Sequence, residues 1–307
     1  MKLSIVVPVY NEVESLGRLH QEIIQSLEIN EYEIIFVDDG STDGTSEKIQ
    51  ELIQVNQKVK LIQFYRNYGK SAALSEGFKQ AEGEYVITMD ADLQDDPSEI
   101  NSLIDKLEEG FDLVSGWKKN RKDPISKRLP SKLFNFITRL FTSVKIHDFN
   151  CGLKIYRKSV IKTLDIYGGR HRYIPALAGQ KKFVVSEIIV NHRAREFGNT
   201  KYGGRRFFHG FFDLISVLFL SRYIQSPLYF FGQLGLLSFI AGFSIEGYVL
   251  YLKYVLGEPF AIHIALLIFG VLLIFIGIQF FSIGLIGEMI ANSNQDKESR
   301  IKKIHKA

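Results

Sequence analysis

Tyr85-Val-Ile-Thr-Met-Asp90-Ala-Asp92-Leu-Gln94-Asp95-Asp96-Pro97 is the stretch on which the reading of this chain turns. Residues 85–89 form a short apolar, β-branched run, as a buried strand requires. Four carboxylates follow within seven residues, and Pro97 is placed to open a helix at its first turn. Carboxylates at the C-terminal end of a parallel strand stand where open α/β sheets bind ligands. On an extended segment Asp90 and Asp92 project to the same side, close enough to share one hard divalent cation. A plainer reading is a strand followed by an acidic helix start, which Asp95, Asp96 and Glu99 satisfy alone. The flanking sequence has to decide between them.

A chain of 307 residues suits a domain plus an appendage. The net charge of +4 is mild, so no polyanion-binding field is implied and nucleic acid is not an expected partner. A single cysteine, Cys151, excludes an internal disulfide framework and fits a reducing compartment. Residues 3–8 are too short an apolar run for a signal peptide, so no cleaved leader is expected.

Composition shifts near residue 227. Residues 228–252 carry only Glu246 as a charge, and residues 260–287 carry no Asp, Glu, Lys or Arg. Each stretch exceeds the ~20 residues that span a bilayer core as a helix. With residues 253–259 as a tight connection, they predict an antiparallel transmembrane hairpin. Glu246 should face a protein neighbour, because lipid exposure of a carboxylate is costly. His263 and Gln279 on the second span are candidates, and an oligomer contact is the alternative.

The first part of the chain alternates apolar strands with amphipathic helices, the pattern of a parallel sheet covered on both faces. Strands are predicted at 3–8, 33–38, 59–64, 85–89 and 112–115, and a late one at 184–190. Helices are predicted at 12–27, 44–55, 70–81 and 97–108. Strands one, two and four end in polar or acidic residues on what should be one sheet edge. Neither a Gly-x-Gly-x-x-Gly after the first strand nor a P-loop is present. A nucleotide must then be held by side chains and a metal instead of a glycine cradle.

Val-Val-Pro8-Val-Tyr10-Asn11-Glu12, Val37-Asp38-Asp39-Gly-Ser, Arg66-Asn67-x-Gly69-Lys70 and Asp90-Ala91-Asp92-Leu-Gln94-Asp95, in that order, resemble the motifs of family 2 glycosyltransferases. More narrowly they resemble the polyprenyl-phosphate glycosyltransferases, over nearly the whole chain. The resemblance implies a Rossmann-like nucleotide-sugar transferase domain of the GT-A type with a mainly parallel sheet. Interfacial amphipathic helices and a two-helix transmembrane hairpin would follow it. Pro8, Tyr10, Glu12, Val37 and Asp39, with Asp90 and Ala91, would line the nucleotide site. Asp90, Asp92 and Gln94 would hold Mg2+ or Mn2+ against the donor diphosphate, a role that suits hard oxygen ligands.

The middle of the chain is basic, with Lys118-Lys119-Asn120-Arg121-Lys122 and Lys127-Arg128, and then an aromatic-rich helical face over 132–145. Such a segment reads as a helix lying in the membrane interface, or as an ordinary domain helix with a solvated basic entry. By the resemblance Lys118 and Lys132 face phosphate; lysine keeps the charge but gives up arginine's bidentate fork. Asp148-Phe-Asn-Cys151-Gly152-Leu-Lys154 resembles the family's Asp-x-x-Cys/Ser-Gly-Phe-Arg block. Asp148 is the candidate base, yet an acceptor phosphate with a second pKa near ~6 is already anionic, so Asp148 stands equally as an orienting group. Capping of the next turn is a third role for it. Arg195-x-x-Gly198-x-Thr200-Lys201-Tyr202 resembles the family's Arg-x-x-Gly-x-Ser-Lys-Tyr loop, in which Arg195 and Lys201 close over phosphate around a Gly198 hinge. Asp92, Asp148, Arg195 and Lys201 are the expected catalytic set.

The predicted layout is a catalytic domain over 1–204, a juxtamembrane amphipathic helix over 205–226, two spans within 227–287 and a basic tail over 288–307. Lys297, Arg300, Lys302, Lys303 and Lys306 follow the second span, whereas the hairpin turn carries Lys253 and Glu258. Positive-inside logic places both termini and the catalytic domain in the cytoplasm, on the cell (inner) membrane. The resemblance implies an inverting transfer from a nucleotide diphosphate-sugar to a polyprenyl phosphate, by a homo-oligomer of up to four copies; UDP-glucose is taken as the donor, with UDP and GDP both open. A processive polysaccharide synthase would bring a Gln-x-x-Arg-Trp motif, and the sole tryptophan, Trp117, lies in none. Intact Glu12, Asp90 and Asp92 oppose a non-catalytic scaffold.

Overall fold

The computed structural model describes residues 2–119, 131, 135, 136, 138–140, 142, 144–193 and 226–293. The chain divides into two compact units, an α/β domain and a helical hairpin. The domain runs β1 (Leu3–Val9), α1 (Val13–Ser26), β2 (Tyr32–Asp38), α2 (Thr45–Val55), β3 (Val59–Gln63), α3 (Lys70–Gln80), β4 (Tyr85–Thr88), α4 (Ile100–Glu108), β5 (Leu113–Trp117), β6 (Lys154–Arg157), α5 (Lys158–Thr163), α6 (Ile174–Gln180) and β7 (Val185–Ile189).

The seven strands form one sheet in the order β3-β2-β1-β4-β6-β5-β7. Strands β1, β2, β3 and β4 are mutually parallel, as are β5 and β7. Both faces are buried, which is why β1 reads as nearly continuous apolar sequence. Leu3, Ile5, Val7 and Val9 point to the face covered by Leu16, Leu19 and Ile23 of α1 and Leu103 and Leu107 of α4. Val6, Ile35, Val37 and Val86 point to the other, covered by Ala73, Leu74 and Phe78 of α3 and by α5 and α6.

Sequence pattern did not announce β6. Its four residues, Lys-Ile-Tyr-Arg, lie antiparallel between β4 and β5, inside a block that reads as a motif. This insertion separates β4 from β5, so the β4 exit faces the turn preceding β6 instead of another parallel strand. Two further expectations change. Pro97 opens a single 3-10 turn (Pro97–Glu99) before α4 begins at Ile100, with the Asp96 side chain accepting from Ser98 N at 3.1 Å. Asp90 and Asp92 do not sit on an extended segment: residues 91–93 turn, with Leu93 at φ 60°.

Of the segment expected as an interfacial helix, residues 135, 136 and 138–140 are helical. Polar Asn135 and Thr138 are buried, whereas apolar Phe136 and Leu140 are exposed. Asn135 Oδ1 accepts from Phe149 N at 3.3 Å, so the polar face is the one bound to the domain. Lys132, residues 205–225 of the expected juxtamembrane helix and residues 294–307 of the expected tail lie outside the described residues, while residues 288–293, expected to open the tail, continue the second apolar helix.

The hairpin consists of α7 (Pro227–Tyr254) and α8 (Ile264–Ser293), joined through a 3-10 turn (Phe260–Ile262). At 28 residues α7 is about 42 Å long, enough to cross a bilayer. Both helices leave most of their apolar side chains exposed, unlike the core helices of a soluble protein. They approach along glycines spaced by seven, Gly235 and Gly242 on α7 and Gly270, Gly277 and Gly284 on α8. A Cβ on Gly277 would meet Gly235 O at 2.8 Å, and one on Gly242 would meet Gly270 O at 2.8 Å. Small residues on such a seam let two backbones pack closely in lipid. Glu246 is packed against Gly270, not against His263 or Gln279; His263 pairs with Glu258 in the connection. Gln279, two residues past Gly277, is turned off the seam, whereas His263 precedes α8 by one residue, about one heptad before Gly270, and is taken by Glu258. Glu288 supplies the missing cap of α7 by accepting from Leu228 N at 3.3 Å.

Two outcomes follow from this packing. Gly277→Leu should destabilise the hairpin by about 1–3 kcal/mol or more, because the added side chain meets backbone. Gly232→Leu, whose nearest neighbour is Leu228 Cδ1 at 3.8 Å, should be tolerated; unfolding of both in SDS-containing micelles measures the contrast. Cys151 is buried in the core beneath the sheet edge, which pushes its thiol up to about 12. Iodoacetamide at pH 8 should alkylate it at least about a hundredfold more slowly in the folded protein than in urea, as read by mass spectrometry.

Candidate active site at the carboxyl edge of the sheet

The exits of β1, β2 and β4 meet at one edge, where the chain spends its polar residues on holding its own loops. Behind β2, Asp38 is fully buried and accepts from Ser41 N at 3.0 Å and from the hydroxyls of Ser41 and Ser46. Asp39 Oδ1 accepts from Tyr68 N at 2.6 Å and Oδ2 from Gly69 N at 2.9 Å. Burial pushes the Asp39 carboxyl above its ordinary range despite those two bonds, with Asp38 beside it adding to the effect. Gly40, at φ 73°, has no room for a side chain, since a Cβ would sit 2.5 Å from the Arg66 carbonyl carbon. The loop at 66–69 is therefore pinned to the β2 exit. Asp39, expected to line the nucleotide site, is first a backbone anchor.

The β1 exit is laced to the same place. Asn11 N donates to Ser41 Oγ at 2.8 Å, Thr42 N to Asn11 Oδ1 at 2.9 Å, and Glu12 N to Thr45 Oγ1 at 3.0 Å. Pro8, Tyr10 and Glu12 are part-exposed along this edge. Val37 pairs with Pro8 across the strands, but its side chain is fully buried on the α3 face, leaving its backbone at the edge.

At the β4 exit Asp90 forms an ion pair with Lys70, the first residue of α3. Burial alone would push the Asp90 carboxyl up, but Lys70, with Lys118 and Lys154, outweighs it and holds the group at about 2. Ala91 is buried, and Asp92 is part-exposed with Oδ1 accepting from Gln94 N at 3.3 Å. Asp95 was expected as part of a helix start. Instead it is 1% exposed, with Oδ1 2.7 Å from Lys118 Nζ and Oδ2 accepting from Asp90 N at 3.2 Å. Burial would lower the Lys118 pKa, and the Asp95 carboxylate overrides it, keeping the ammonium charged. Lys118 thus lies on Asp95, directly beside the residues expected to hold a diphosphate. Gly152 lies against both acids: a Cβ there would fall 2.6 Å from Asp90 Cγ and 2.8 Å from Asp95 Oδ2.

Asp148 is 2% exposed and accepts from Asn150 N at 3.1 Å, the geometry of a side chain capping its own turn. Its carbonyl accepts from Ser115 Oγ at 3.2 Å, tying it to β5. Arg195, Gly198 and Lys201 lie outside the described residues. Three residues that sequence reasoning gave no role stand in the site. Lys70 was legible in part, because a lysine at the start of a helix opposes the helix dipole and needs another reason to be there. Lys154, 3% exposed, donates to Cys151 O, and burial pushes its pKa down. His171 takes Ser71 Oγ on both its backbone N, at 3.1 Å, and its Nδ1, at 2.9 Å. Burial, reinforced by Lys70, pushes its pKa well below the ordinary value and keeps the ring neutral.

In chemical terms the edge is an acidic turn balanced by lysines, open on the Asp92 side and closed beneath by Asp95 and Gly152. The profile of glycosyl transferase family 2 matches residues 4–165. A dodecaprenyl-phosphate galacturonate synthase of Rhizobium johnstonii is 38% identical over 300 residues, covering 95% of this chain and 88% of the relative. An undecaprenyl-phosphate 4-deoxy-4-formamido-L-arabinose transferase of Salmonella paratyphi B is 36% identical over 302 residues, covering 97% and 91%. Among solved structures, glucosyl-3-phosphoglycerate synthase from Mycobacterium tuberculosis superposes with a TM-score of 0.57 at 18% identity, over 72% of this chain and 79% of that one, a likeness of fold. With its GT-A sheet, its acidic β4 exit and relatives matched along nearly its full length, the chain belongs to glycosyl transferase family 2, and within it to the polyprenyl-phosphate glycosyltransferases.

Proposed function

We propose that this membrane enzyme moves one sugar from a nucleoside diphosphate donor to the phosphate of a polyprenyl lipid, with inversion at the anomeric carbon. The observation that carries the reading is the Asp90–Asp92 turn, set beside Lys70 and Lys118, in the same chain as two exposed apolar helices of membrane length. An acceptor phosphate oxygen attacks the anomeric carbon, the bond from that carbon to the diphosphate oxygen breaks, and the electron pair leaves with the nucleoside diphosphate. The acceptor is already anionic at neutral pH, so no strong base is needed. The bond from Asn150 N to Asp148 Oδ1 supports an orienting role for Asp148.

Asp90, Asp92 and Gln94 offer oxygen donors suited to Mg2+ or Mn2+, although the described residues hold no cluster of three His, Cys, Asp or Glu around one point. The Lys70 ammonium on Asp90 supports the fit, since a cation already stands where the turn concentrates negative charge. Such a metal, when bound, would neutralise charge developing on the leaving diphosphate. Lys70 and Lys118 keep the acidic turn from repelling that diphosphate, and Arg195, Lys201 and Lys132 are proposed to add positive charge to it.

UDP-glucose is the proposed donor; the names of the two relatives point to a uronic acid and a formamido sugar, so the sugar pocket varies within the group. The basic tail and the nearly uncharged hairpin turn support a cytoplasmic catalytic domain with both termini on the cytoplasmic side of the inner membrane. Assembly as a homo-oligomer, up to a tetramer, rests on the family resemblance alone, because Glu246 Oε1 is buried within the hairpin against Gly270.

The direct test incubates purified protein with radiolabelled nucleotide-sugars, Mn2+ or Mg2+ and a short polyprenyl phosphate. Label should pass into an organic-soluble product that is labile to mild acid. Asp92→Ala should lower turnover by at least about a hundredfold, as losing a charge-stabilising group at the leaving oxygen does. Label in polymer, or full activity after chelation, contradicts the proposal.

A further inference from the structure

Three residues after β7 are bound to the acidic turn far more closely than a passing connection needs. Arg193 N donates to Gln94 O at 3.0 Å, and His192 pairs with Asp95 as an antiparallel bridge. The Arg193 guanidinium forks onto Asp96, with Nη2 2.7 Å from Oδ1 and Nε 3.3 Å from Oδ2, while Nη1 lies 2.5 Å from Glu22 of α1. Asn191 completes the clasp by donating Nδ2 to Asp96 Oδ2 at 3.1 Å and its backbone N to Glu99 Oε1 at 3.0 Å.

We propose that Arg193 is a positioning residue for the transfer reaction, holding the Asp90–Gln94 turn in its reactive shape by clamping it between α1, the start of α4 and the exit of β7. The inference rests on the proposed function, because it assigns the turn a part in catalysis. Arg193 touches neither Asp90 nor Asp92, so its effect passes through Gln94 O and Asp96. Three features set it apart from an ordinary surface ion pair. Its planar fork reads a carboxylate bidentately, which fixes direction as well as distance. Its second partner, Glu22, belongs to a helix remote in sequence, so the turn is referenced to the sheet's covering layer. And Leu93 sits in the left-handed region, a conformation that surrounding structure must enforce in a residue with a side chain. Arg193 is 29% exposed, so its ion pairs are screened and add little to global stability. Geometry is therefore what the arrangement supplies. Depressed carboxyl pKa values at Asp96 and Glu22 agree with both partners being ionised: burial opposes, and hydrogen bonds with the Arg193 charge prevail.

The test uses the full chain in micelles and compares wild type with Arg193→Gln and Arg193→Lys. Hydrogen exchange of a peptide covering residues 89–97 should quicken by about tenfold or more in Arg193→Gln, with the β1 and β2 peptides unchanged. Turnover should fall by about tenfold or more with the donor KM within about threefold, the mark of misplaced groups in place of lost binding. Arg193→Lys, keeping charge without the fork, should fall between the two. Unchanged exchange over 89–97 overturns the clasp. Quickened exchange with wild-type turnover overturns the positioning role and leaves a purely structural contact. Wild type inactive with every donor would instead overturn the functional reading and, with it, the catalytic part of this inference, while the exchange data would still decide the clasp.

Discussion

The buried ion pair between Asp95 and Lys118 is the interaction on which the site depends. It joins the exit of β4 to the exit of β5 across the intervening β6 and fills the gap that an antiparallel strand opens in an otherwise parallel sheet. With one oxygen on Lys118 and the other on Asp90 N, the Asp95 carboxylate fixes the backbone from which the Asp90 side chain departs. Gly152 is packed against both acids, so the turn before β6 closes the floor of the same structure. Such pairs seldom add net stability, because desolvation takes back most of the Coulomb gain; breaking one, however, costs about 3–5 kcal/mol. What the pair secures is one arrangement of the acidic turn.

Charge balance explains the rest of the site. Asp90, Asp92 and Asp95 lie within six residues, and burial at the β4 exit would push the Asp90 carboxyl up. Lys70, Lys118 and Lys154 converge from α3, from the exit of β5 and from β6 and reverse the effect at Asp90. The lysines come from three elements that only the folded sheet brings together. An acidic turn that stays ionised yet does not repel a diphosphate is the electrostatic condition for nucleotide-sugar chemistry.

Most of the fold was legible in the sequence because central parallel strands are buried on both faces and read as apolar runs. β1, β2, β3, β4, β5 and β7 fall within one to two residues of their expected bounds. β6 was not legible: four residues with a lysine and an arginine at the ends give no period to detect, and its pairing is set by neighbours distant in the chain. Asp95 was misread because Asp96 and Pro97 beside it carry strong helix-start signals, whereas its partner Lys118 is a tertiary fact. The membrane hairpin was legible from length and charge alone, and the heptad spacing of Gly235, Gly242, Gly270, Gly277 and Gly284 already held its seam. The facing of Glu246 was not, since hydropathy says nothing about rotation about a helix axis.

The most direct measurement of the central claim is a double-mutant cycle on the Asp95–Lys118 pair, with unfolding in urea followed by the fluorescence of the only tryptophan, Trp117. Asp95→Asn and Lys118→Met should each cost about 3–5 kcal/mol, and the double variant should recover most of that loss while remaining unable to bind nucleotide. Additive single costs, or single variants within about 0.5 kcal/mol of wild type, would contradict the account, for then nothing buried would depend on the pair.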